Sequence, residues 1–112
     1  MSDAETNEPI QDEPGPDEQF PLPPASFSFM IVSLRTQAEM QLGLMHFGEE
    51  EKPKPNLPMA RHTIDMMGVL HEKTKGNLSL EEQRLLENSL TELRFRFVQV
   101  SEESSRAASQ KA

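Results

Sequence analysis

The stretch Thr74-Lys75-Gly76-Asn77-Leu78-Ser79-Leu80-Glu81-Glu82 decides how the chain is built. Glycine enters left-handed backbone without a Cβ penalty, so Gly76 reads as the residue that closes a helix. Ser79 followed three residues later by Glu82 is a capping box. The serine side chain and the glutamate side chain each satisfy the other residue's backbone N–H at a helix start. Gly76, Asn77, Ser79 and Glu82 together therefore predict a structural turn and cap between two helices. A connection this short predicts that those helices lie side by side as an antiparallel hairpin.

Working back from the turn, Asn56 is an N-cap candidate and Pro58 falls in the first helical turn, where its missing N–H costs nothing. The period predicts a second helix from there to about Lys75. Leu57, Ala60, Ile64, Met67 and His71 share one face, widened by Met59, Met66 and Leu70. Arg61, Asp65 and Glu72 fall on the charged side. Working forward, a third helix over about 80 to 100 carries Leu86, Leu90, Leu93, Phe97 and Val100 at alternating spacings of four and three. That spacing is a short heptad seam.

The first helix is expected to start at Ser26 as N-cap and to run to about Phe47, with Gly48 as its stop. Phe27, Ile31, Leu34, Ala38, Leu42 and Met45 form its main stripe. Phe29, Met40 and Phe47 form a second stripe nearly opposite. The segment from Gly48 to Pro55 is charged and contains Pro53 and Pro55, so it reads as a connector.

The tails differ from this core in composition. Of 19 acidic and 11 basic residues, residues 1–25 hold seven acids and no base, which leaves the remainder nearly neutral. That acidic, Pro-rich segment buries too little apolar surface to offset its ordering entropy and is expected to be disordered. Residues 101–112 are polar and are expected to form a fraying tail. The domain expectation is thus 1–25 tail, 26–100 helical domain and 101–112 tail. The fold class is all-α, a three-helix module. There is no cysteine, and the apolar run from Phe27 to Leu34 is far short of the roughly 20 residues that span a bilayer. A soluble cytoplasmic protein with no membrane partner is the expectation.

From about Phe27 to Val98 the sequence resembles a bacterial family catalogued as domain of unknown function 1844. The resemblance rests on Gln37-Ala38 and Leu42-Gly43, then on Asn56-Leu57, Ala60-Arg61 and Ile64-Asp65. It continues in Lys73-Thr74-Lys75-Gly76-Asn77-Leu78, Glu82, Leu85-Leu86 and Leu93-Arg94. It implies a small helical protein and brings no activity, substrate or catalytic residue.

Catalysis finds little to work with. Asp65 and Glu72 lie about 10 Å apart along one helix, but no nucleophile or oxyanion site accompanies them. Asp65 reads instead as half of a structural ion pair with Arg61 or Arg94. His46, His62 and His71 fall on different faces, so no two are spaced as ligands on one turn and no metal or cofactor is expected. His71 reads as a core-edge residue sharing a hydrogen bond.

Phe29, Met40, Phe47, Met59 and Met66 exceed what three helices can cover with one stripe each. They predict a non-enzymatic protein-interaction or self-association module, a homo-oligomer (a dimer) or a complex with another helical protein. The alternative is a helical regulator that binds nucleic acid or its machinery through the hairpin, using Lys73, Lys75, Arg84, Arg94 and Arg96. Nucleic acid is the weaker expectation, because the acidic tail competes for the same basic residues.

Overall fold

The structure, a computed structural model, describes residues 21–45, 48 and 53–111. They form three helices, α1 (Phe27–Gln41), α2 (Leu57–Lys73) and α3 (Leu80–Lys111), and no strand among the described residues. Residues 1–20 of the expected tail lie outside the described residues. Pro21 to Ser26 are exposed and belong to no helix.

Each helix starts on a side-chain cap. Ser26 Oγ accepts the Phe29 N–H at 3.0 Å and Asn56 Oδ1 accepts the Met59 N–H at 3.2 Å. At α3 the Ser79 N–H donates to Glu82 Oε1 at 2.8 Å while the Glu82 N–H donates to Ser79 Oγ at 3.1 Å. Both orphan donors are satisfied by this reciprocal pair.

The ends of α1 and α3 differ from the expectation. Helix α1 stops at Gln41, not Phe47, and Gly43 is the residue that ends it, with φ +76°. The Gly43 N–H donates to Met40 O at 3.0 Å and the Leu44 N–H to Glu39 O at 2.9 Å, which is the Schellman arrangement. A Cβ on Gly43 would stand 2.8 Å from Pro53 O and 3.3 Å from Pro55 N, so the returning chain also requires glycine there. The apolar period misleads because Leu42 and Leu44 still pack against the core after the helix has ended. Gly48 has φ +82° but follows a helix already closed.

Helix α3 instead runs to Lys111, about 48 Å at 1.5 Å per residue, where a fraying tail is expected from residue 101. No Pro or Gly interrupts it, and beyond Val100 Ser104 is still partly buried while Ala107 is exposed. Both small side chains line a cavity of about 210 Å³ with Leu42, Gly43, Pro53 and Pro55. Pro53 and Pro55 of the connector thus face the far turns of α3 across this cavity.

The buried core is Ile31, Ala38, Leu42, Ala60, Ile64, Met67, Leu86, Leu90, Leu93 and Val100, drawn from all three helices. Two polar residues join it. Thr63 Oγ1 donates to Gln41 Oε1 at 2.6 Å, tying α2 to the end of α1. Ser89 Oγ has no partner among the described residues, a desolvation cost of about 1–3 kcal/mol in the middle of the α3 seam.

Candidate interaction surface

Between α2 and α3 the chain closes Thr74 to Ser79 with local hydrogen bonds. Helix α2 ends at Lys73, two residues short of the expected Lys75, with Thr74 as its cap. Thr74 Oγ1 donates to Leu70 O at 2.7 Å, and the Asn77 N–H donates to Thr74 O at 2.9 Å. Gly76, φ +83°, is the third residue of that turn, with open space where a Cβ would stand. The Thr74 N–H also reaches Leu70 O, at 3.0 Å, so the last helical bond is made at Thr74, two residues before the glycine.

Beside the turn lies a cavity of about 150 Å³ walled by His71, Thr74, Lys75, Gly76, Leu78, Gln83 and Glu87. His71 Nε2 and Glu87 Oε2 are 3.0 Å apart, and Gln83 Nε2 donates to the same oxygen at 3.2 Å. The hydrogen bond from His71, then that from Gln83, holds the Glu87 carboxyl below its ordinary value of 4.5. The half-buried His71 ring thereby bridges α2 to α3. Lys75 turns outward to Glu72 at 3.7 Å.

Farther along the same two helices is a larger, open groove of about 360 Å³. Ile64, Phe97 and Val98 form its apolar part, and Arg61, Asp65 and Arg94 its charged rim. Arg61 Nε meets Asp65 Oδ2 at 3.5 Å, both side chains about two-thirds exposed (68% and 64%). Arg94 does not join that pair. Its guanidinium lies over Gly68, 3.3 Å from where a Cβ would stand. Glycine inside a helix costs about 0.5–1 kcal/mol against alanine, and here it makes room for the arginine.

The remaining surface is unevenly apolar. Phe29 and Met40 on α1, and Met59 and Met66 on α2, are all exposed, whereas Phe47 lies outside the described residues. Sequence reasoning missed Phe95 and Val98 on α3, which are 61% and 52% exposed and one turn apart. The signal was present in Arg94-Phe95-Arg96-Phe97, since residues two apart on a helix cannot share a face. Met30, Val32 and Val69 are exposed as well.

Among the described residues no three His, Cys, Asp or Glu side chains gather as a metal site would need. His62 is exposed and His46 lies outside the described residues. No helix is long and apolar enough, among the described residues, to cross a membrane. Of the basic residues in and between α2 and α3, Lys75 meets Glu72 and Arg96 meets Glu92.

Fold and surface define a small three-helix protein with a shared core and large apolar side chains left outside it. The chain belongs to the family described as domain of unknown function (DUF1844), whose model matches residues 24–99. That span takes in α1, α2, both connections and α3 as far as Gln99. Neither a curated protein nor a solved structure matches the chain.

Proposed function

We propose that this chain is a non-enzymatic interaction module that associates with a second copy of itself, most simply as a two-fold dimer. One observation carries the reading: every helix keeps large apolar side chains about half exposed, Phe29 and Met40 on α1, Met59 and Met66 on α2, Phe95 and Val98 on α3. Burying a side chain of this size contributes about 1.5–3 kcal/mol, so a handful buried in one interface offsets the entropy of association. A three-helix domain of this size has a thin core and gains stability by pairing.

The non-catalytic part of the reading is supported by the carboxylates themselves. Asp65 is engaged with Arg61 and Glu72 with Lys75. The association scaffold is the antiparallel pair α2–α3. The support is that neighbours step away from the connection in both helices, from His71 with Glu87, through Gly68 with Arg94, to Ile64 and Val98 in one groove. A chain without cysteine suits a reducing compartment such as the cytoplasm.

Dimer formation makes stability depend on concentration by mass action. The melting temperature of the native chain should rise steadily across a hundredfold increase in protein, by about RT ln of that ratio in free energy. A melting temperature that stays flat over the range overturns the reading.

A further inference from the structure

We infer that the open groove between α2 and α3 is where the second copy sits, with Arg94 of each chain on Asp65 of the other. The inference rests on the self-association reading and assigns it a surface. The groove combines an apolar floor of Ile64, Phe97 and Val98 with charges of both signs on its rim. Arg94 is the cation in it without a carboxylate. Among the described residues Arg35, Arg61 and Arg96 each meet an acid within 4 Å, whereas Arg84, Arg94 and Arg106 do not, and of these three only Arg94 lines the groove. Its guanidinium is nonetheless placed, lying over the bare backbone of Gly68.

Asp65 is the complementary half. It meets one guanidinium at 3.5 Å and is 64% exposed, so its carboxylate, with about four acceptor positions, has room for a second.

The pairing of signs selects the occupant. An acidic segment from another protein would satisfy Arg94 but be repelled by Asp65, and a basic segment would do the reverse. A second copy related by a two-fold axis satisfies both, because an isologous interface sets each residue i against j and each j against i. Val98, 52% exposed in the groove, supplies apolar surface that such a face can cover.

A charge swap on the full chain tests this. Arg94→Asp and Asp65→Arg are exposed substitutions, and circular dichroism melts establish that each variant stays folded. Sedimentation equilibrium should show the native chain as a dimer and each variant weakened by about tenfold or more, since each now sets like charges together. Mixed in equal amounts the two variants should recover the dimer, because the carboxylate introduced in one then faces the guanidinium introduced in the other. A native dimer that neither substitution weakens, or a loss that mixing fails to restore, overturns the groove as the interface while leaving self-association standing. A native monomer overturns both.

Discussion

The two connections in this molecule do similar work by different means. Around α1–α2 main chain meets main chain at the points that turn the chain, with the Thr63–Gln41 side-chain bond beside them. The Asn56 N–H donates to Gln41 O at 2.7 Å, Gly43 and Leu44 bond back into the last turn of α1, and the Pro53–Pro55 backbone fills the space a Gly43 side chain would need. Around α2–α3 one main-chain turn bond, Asn77 N–H on Thr74 O, is joined by several side-chain bonds: Thr74 on Leu70 O, Ser79 against Glu82, His71 against Glu87. A connection written in side chains can lose one contact and keep the rest. One written in backbone fails where a Cβ intrudes.

The glycines give the largest contrast. Gly43→Ala must bear left-handed backbone and displace Pro53 O, so it should destabilise by about 2 kcal/mol or more in thermal or urea unfolding. Gly76→Ala meets open space and bears only the left-handed φ, so about 1 kcal/mol is expected. Equal costs at the two positions would break the distinction between the connections.

A smaller effect isolates the side-chain connection. The Glu87 carboxyl titrates below 4.5 in the folded chain, so its stabilising contribution is present above that value and is lost as pH falls through the lowered one. Glu87→Gln should therefore melt below the native chain at neutral pH, with the gap closing under acid. A gap that widens on acidification would mean that His71 and Glu87 do not hold the turn together.

The same division explains what could be read from the sequence. The turn at Ser79–Glu82 was legible because the residues that form the hydrogen bonds are the ones whose types announce them. The α3 seam from Leu86 to Val100 was legible because spacing and burial coincide. The end of α1 was not, since Leu42 continues the apolar stripe and the cause of the stop, the approach of Pro53 to Gly43, comes from ten residues farther on. Ser104 and Ala107 escaped notice because small side chains carry no apolar signal, though they line a cavity together with Pro53 and Pro55 of the first connection. Thr63 is buried through Gln41, a partner 22 positions away that no local pattern reveals. Of the surface, Phe29, Met40, Met59 and Met66 follow from period alone. Phe95 and Val98 require knowing which face of α3 the other helices cover.

The mass of the chain in solution decides whether it associates. Multi-angle light scattering at micromolar concentration should return twice the 12.7 kDa of the single chain. A mass of one chain, unchanged as the protein is concentrated, would show that it does not self-associate.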